Sequence, residues 1–145
     1  MWDKLSADFL ADAVREFQSY PVVTLAWASY LGMGVAWQWD SNWDLCCQSS
    51  YAYYQGREGF DDMDDHIVAD IMHLSANEAK KFSETLDSCA LAALALMRRS
   101  GIEAQTADGF YAMVRAASSL YRIGAAIELK RLGYRKVAVP AGCVS

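Results

Sequence analysis

Apolar residues recur every three or four positions along most of the chain, and no stretch alternates apolar and polar residues with a period of two. Such spacing is typical of helices that bury one face, so the pattern predicts an all-α protein. Pro21 ends the first predicted helix and is well placed in the first turn of the next. The apolar face of the first helix comprises Trp2, Leu5, Phe9, Ala13 and Phe17.

The second predicted helix, about 22–38, is apolar on all sides and has no charged residue. Its length is enough to cross a bilayer. However, no Lys or Arg lies between Arg15 and Arg57 to anchor a membrane span. We therefore expect no membrane partner and a helix at the centre of a soluble bundle. The four-residue spacing of Ala28, Gly32 and Ala36 predicts that another helix backbone approaches closely there.

Later helices are predicted at about 43–55, 61–74 and 76–99, and from Thr106 or Asp108 to Gly133. Capping-box patterns begin at Ser41 and Ser75. A single helix over 60–99 would be about 60 Å long, so a bend is favoured over a continuous rod. The apolar half of the 76–99 helix, from Ser88 to Met97, is expected to be enclosed by its neighbours.

The fold prediction is an all-α single-domain bundle of five to six helices around the 22–38 helix. Residues 1–136 form the predicted domain, and residues 137–145 form a predicted extended tail. With 54% hydrophobic and 21% charged residues, the composition excludes intrinsic disorder.

The formal net charge of −5 argues against a nucleic-acid partner, because the phosphate backbone attracts basic surfaces. This charge is unevenly distributed. Residues 60–78 carry six acidic and no basic residues, whereas residues 79–145 carry ten basic and five acidic residues. Pairing of the two segments within one chain or between subunits is the simplest use of such a pattern.

The four cysteines form no C-x-x-C pair, which favours reduced thiols over a zinc site. The first residues, Met1 to Lys4, lack the basic and apolar regions of a signal peptide. We therefore expect a cytoplasmic location.

The acidic segment contains both histidines of the protein. On an ideal helix Asp62, His66, Asp70 and His73 share one stripe, each within side-chain reach of the next. Imidazole and carboxylate groups suit a divalent metal such as zinc, manganese, iron or nickel. The alternative interpretation is a solvated acidic face that complements the positive end of a helix.

A second acidic pattern combines Asp62-x-x-Asp65 with Glu84-x-x-Asp87. This arrangement resembles the paired acidic motifs with which all-α nucleotide pyrophosphatases hold magnesium. The chain has aspartate where that family has glutamate in the first motif, and the surrounding aliphatic pattern differs. The resemblance implies a magnesium site but does not establish membership of the family.

Arg115 and Arg122 share a face of the last helix, in a mostly uncharged stretch. Charges in such surroundings usually have a carboxylate partner, for which Asp62, Asp70 or a neighbouring subunit are candidates. If the two arginines instead converge on a pocket, they favour an anionic ligand.

Two functions remain as hypotheses. The first is an interaction or regulatory module without catalysis, which forms a homo-oligomer or binds a protein partner through an apolar helix face. The second is a metal-dependent hydrolase of a small anionic, nucleotide- or phosphate-like substrate. In the second hypothesis Asp62, His66, Asp70 and His73 hold the metal, and Arg115 or Arg122 binds the substrate.

Overall fold

The computed structural model describes residues 1–102 and 106–134, and within these ranges it contains helices and no strand. Four helices are long and four segments are short, and the prediction of an all-α bundle is confirmed. The long helices are α1 (Trp2–Glu16), α2 (Pro21–Ser41), α6 (Ala76–Arg99) and α7 (Ala107–Arg131). The short segments are α3 (Trp43–Gln48), α4 (Tyr51–Tyr54), α5 (Met63–Asp65) and a π-helical segment (His66–Ile71).

Helix α2 is the centre of the bundle, as its uninterrupted apolar sequence predicts. Every residue from Thr24 to Ala36 is buried, and Pro21 lies in the first turn. Helix α7 packs along α2 most extensively, and α6 covers another side. Among the described residues no helix is both long enough and apolar enough to cross a membrane.

The crossing of α2 and α7 is close because glycines lie on both sides of it. A Cβ atom on Gly32 would overlap the backbone carbonyl of Tyr121, and one on Gly124 would overlap the carbonyl of Ser29. The spacing of Ala28, Gly32 and Ala36 predicts this close approach. The position of Gly124 opposite the backbone of Ser29 is shown only by the structure.

The predicted helix over 43–55 is wrong in its extent, because the chain leaves helical geometry at Ser49 and Ser50. The hydroxyl of Ser49 donates to the carbonyl of Leu45 at 2.6 Å, a local bond that competes with helical backbone bonds. The cap of α3 also differs from the prediction. The side chain of Asn42, rather than that of Ser41, accepts the bond from Leu45 N.

Residues 60–99 form two helical regions rather than one rod. The chain turns at His73, whose φ of 55° lies in the left-handed region. Helix α6 then begins with the predicted capping box, in which Ser75 and Glu78 bond each other's backbone. The predicted helix over 61–74 is replaced by the short α5 and the π-helical segment.

The apolar half of α6 is less enclosed than predicted. Leu91 is 55% exposed and Leu96 is 60% exposed, whereas Leu94 is buried. The apolar side chains of this half point to all sides of the helix, but α2 and α7 cover only part of its surface. The predicted tail, residues 137–145, lies outside the described residues.

Candidate functional site

The acidic segment borders an open cavity of about 500 Å³, which we call the acidic cavity. It lies between the loop after α4 and the π-helical segment. Three of the four predicted metal ligands line it, together with a further aspartate and one arginine. The lining residues are Gln55, Gly56, Arg57, Asp62, Asp65, His66, Ala69 and Asp70.

His66 uses both nitrogens of its ring within the protein. Nδ1 lies 3.0 Å from a carboxylate oxygen of Asp70, and Nε2 lies 3.0 Å from the backbone carbonyl of Tyr53. Both neighbours are hydrogen-bond acceptors, so the doubly protonated ring donates to both, and the neutral ring to only one. His66 therefore connects the π-helical segment to α4.

Asp62 is held by the loop that precedes it. One of its carboxylate oxygens accepts a bond from Glu58 N at 3.1 Å. A Cβ atom on Gly56 would overlap this carboxylate, so a larger residue there would push the Asp62 side chain out of its place in the loop. Two backbone bonds between Gly56 and Gly59, of 3.0 and 3.1 Å, complete the loop. Asp62 therefore has a structural role in shaping this wall of the cavity.

His73, the fourth predicted ligand, lies apart from the other three. It is exposed, and its ring meets that of Trp37 edge-on at a centroid distance of 6.5 Å. The predicted stripe assumes an α-helix, in which successive residues are about 100° apart. The π-helical segment has more residues in each turn, so its successive residues are separated by a smaller angle. The turn at His73 then moves its side chain away from the line of His66 and Asp70.

The geometry gives a metal site at this cavity little support. Within residues 1–102 and 106–134, no group of three or more His, Cys, Asp or Glu side chains is arranged to hold a metal ion. In this segment burial raises the pKa of Asp64. The metal hypothesis remains a prediction.

Arg115 and Arg122 both lie exposed on α7. In the described part of the chain neither forms an ion pair, so the expected pairing with Asp62 or Asp70 is absent there. Neither arginine lines the acidic cavity. Arg115 lines a different depression, which lies between α6 and α7.

This second depression, which we call the α6–α7 groove, has a volume of about 530 Å³ and a mainly apolar lining. Leu96 of α6 and Ile123 of α7, which is 39% exposed, stand at its walls. The groove was not among the features predicted from the sequence. The available signal was that leucines at 91, 94 and 96 cannot all face one side of a helix.

A buried carboxylate near the C-terminal end of α7 was also not predicted from the sequence. Glu128 is fully buried, and Arg131 donates to its two oxygens at 2.6 and 2.9 Å. Burial raises the pKa of Glu128, and the guanidinium of Arg131 offsets only part of this rise. Arg131 also lies 3.8 Å from Glu78, so the cluster joins α7 to the start of α6.

Comparisons with protein-family models, with curated proteins and with solved structures found no match to this chain.

Proposed function

We propose that the protein is a helical interaction module without catalysis of its own, which associates with a second copy through α6 and α7. The observation that carries this proposal is the exposure of Leu96 and Ile123 at the walls of the α6–α7 groove. We call these two residues and the groove the self-association surface.

The free energy available from this surface supports the proposal. Full burial of a leucine or isoleucine side chain contributes about 1.5–3 kcal/mol, and Leu96 and Ile123 are already partly covered. Covering their exposed parts therefore contributes about 1 kcal/mol each and offsets part of the cost of association. The small residues Ala92 and Ala116 lie in the groove and leave room for side chains of a partner. Large apolar side chains grouped on one surface are typical of interaction sites.

The hydrolase hypothesis has weaker support. A catalytic zinc site takes three protein ligands, and both nitrogens of His66 already face Asp70 and Tyr53. Arg115 and Arg122 lie outside the acidic cavity, where a substrate would have to meet the metal. An interaction module requires neither arrangement.

The test is the oligomeric state of the full chain, measured by sedimentation equilibrium up to about 200 µM, where micromolar association is visible. We expect association that rises with concentration, and we expect Leu96→Gln/Ile123→Gln to weaken it at least about tenfold. Val14→Gln is the matched control, because Val14 is 50% exposed but lies on α1. A wild-type protein that stays monomeric throughout this range contradicts the proposal.

A further inference from the structure

We propose that the α6–α7 groove binds an amphipathic helix of a partner protein, with acidic residues along the edges of the apolar face of that helix. Such a partner goes beyond the proposed self-association, since it would be a second occupant of the same groove. The evidence is the shape of the groove, its apolar lining and the arginines along its edges.

The groove has the form that a docked helix requires. It lies between two antiparallel helices, since α7 follows α6 after a short connection and Arg131 near its end lies 3.8 Å from Glu78 at the start of α6. Its lining on α7 extends from Ala112 to Ile123, about 17 Å along the axis, or about three helical turns. A helix that docks in such a groove inserts side chains from every third or fourth position.

The lining leaves room for large apolar side chains of a partner. Leu96 is 60% exposed and Ile123 is 39% exposed, and they stand at opposite walls. Short side chains predominate between them, so leucines of a docked helix can fit beside both walls. The alanines of the lining are Ala92, Ala93, Ala112 and Ala116.

The charge of the lining is positive. Among the described residues that line the groove none is acidic, and Arg115 is the one charged residue. Arg115 forms no ion pair in the described part of the chain. An arginine that borders apolar surface and has no carboxylate partner favours a ligand that supplies one.

Two further arginines continue the edges of the groove. On α7, Arg122 follows Arg115 by seven residues, and Ser119 of the lining lies between them. On α6, Arg99 follows Leu96 by three residues. Residues three, four or seven apart share one side of a helix, so arginines border the groove on both helices. Arg99 and Arg122 are exposed, and neither forms an ion pair within the described ranges.

An acidic amphipathic helix complements both properties of the groove. Its apolar face covers Leu96 and Ile123, and carboxylates on the edges of that face meet the arginines. A basic helix would place like charges together, which disfavours it. The groove is open and about three turns long, so we expect reversible binding with a dissociation constant of about 10–100 µM.

The test uses two synthetic, alanine-based peptides of about 18 residues, long enough to form helices in water. Both carry leucines at alternating spacings of three and four residues. One has glutamates beside the leucines, and the other has lysines at the same positions. Thermophoresis of the labelled full chain at about 50 nM measures binding where micromolar self-association is negligible. We expect the glutamate peptide to bind at least about tenfold more tightly than the lysine peptide.

Charge variants connect this preference to the arginines. Arg115→Gln/Arg122→Gln should weaken binding of the glutamate peptide about tenfold and should reduce its dependence on salt. Arg57→Gln/Lys80→Gln is the matched control, because it removes two exposed positive charges that do not line the groove. It should bind as the wild type does.

A charge reversal shows that loss of binding is not loss of folding. Arg115→Glu/Arg122→Glu should prefer the lysine peptide, and only a folded groove can gain a new preference. A reversed preference therefore supports the proposal even if the glutamine variant is less stable than the wild type.

Two results overturn the proposed partner. In the first, neither peptide binds, and in the second, the glutamate and lysine peptides bind equally. Both leave self-association intact, because sedimentation measures it without peptide. If the wild type stays monomeric but binds the glutamate peptide with the expected dependence on Arg115 and Arg122, the acidic partner stands and the proposed self-association fails.

Discussion

Gly32 of α2 and Gly124 of α7 lie at the same helix crossing, and each makes room for the backbone of the opposite helix. The carbonyl of Tyr121 occupies the space of a side chain at Gly32, and the carbonyl of Ser29 does so at Gly124. The pair allows α7 to lie directly on the central helix. This contact positions both walls of the α6–α7 groove, since α6 packs on the same central helix.

Replacing either glycine with alanine should destabilise the fold by about 2–3 kcal/mol, because a methyl group there meets backbone rather than a movable side chain. The measurement is urea denaturation at neutral pH. Gly34→Ala is the control on the same helix, because its added Cβ would lie 3.1 Å from a side-chain methyl of Ile67. That variant should stay within about 1 kcal/mol of the wild type, because alanine's helix propensity offsets the mild crowding. Equal losses at positions 32 and 34 would contradict the special role of the crossing.

Glu128 should make stability depend on pH with a definite sign. Since burial raises its pKa in the folded state above the usual value of 4.5, folding favours the neutral carboxyl. The stability that this group contributes is complete below its unfolded pKa and is lost as pH rises through its folded pKa. The variant Glu128→Gln carries a neutral side chain at all pH values, so its free energy of unfolding should rise relative to the wild type as pH rises from about 4.5 to 8.

Denaturation curves for both proteins across this pH range check the prediction. The offset between the curves includes the lost hydrogen bond from Arg131, whereas the change of the offset with pH reports the charge of Glu128. Glu58→Gln is the control for replacing an exposed glutamate with glutamine. If the wild type instead becomes more stable relative to Glu128→Gln as pH rises, the pKa of Glu128 is lowered by folding rather than raised.

Helix ends determined by neighbouring residues could be predicted from the sequence. The capping box of Ser75 and Glu78 is confirmed. Of the two predicted starts of the last helix, Thr106 is the one that caps it, and its hydroxyl accepts from Gly109 N at 3.0 Å. Pro21 marks the start of α2 for the same reason, since its ring suits the first turn. These signals act over three or four residues and do not depend on the tertiary fold.

Features that depend on distant contacts could not be predicted in this way. The ring of His66 bonds the carbonyl of Tyr53, thirteen residues earlier, in a segment whose π-helical geometry no local pattern indicates. The burial of Glu128 likewise depends on the packing of α7 against α2, because a lone glutamate near a helix end usually lies in solvent. The exposure of Leu91 shows the converse, an apolar residue that no neighbour covers.

The two hydrogen bonds of His66 should contribute unequally to stability. Asp70→Ala removes only the contact between His66 Nδ1 and a carboxylate that is 70% exposed. We therefore expect the free energy of unfolding to fall by about 0.5 kcal/mol or less. His66→Ala also removes the bond to Tyr53 that joins two segments, so we expect a loss of about 1–2 kcal/mol. Urea denaturation at pH 7 compares them, with the exposed Asp61→Ala as the control for loss of an acidic charge. A loss for Asp70→Ala as large as that for His66→Ala would show that the Asp70 contact dominates.

The loop that leads into the acidic segment should depend on Trp27. Its indole Nε1 donates to the backbone carbonyl of Phe60 at 2.6 Å, and the side chain is buried in α2. Trp27→Phe leaves this carbonyl without its donor and leaves space beside it, so we expect a loss of about 2–4 kcal/mol. Trp43→Phe is the control, because Trp43 is 45% exposed and its replacement should cost about 0.5 kcal/mol or less. Unfolding is followed by far-ultraviolet circular dichroism, because both variants change the tryptophan fluorescence. A Trp27→Phe variant as stable as Trp43→Phe would contradict the structural role of this bond.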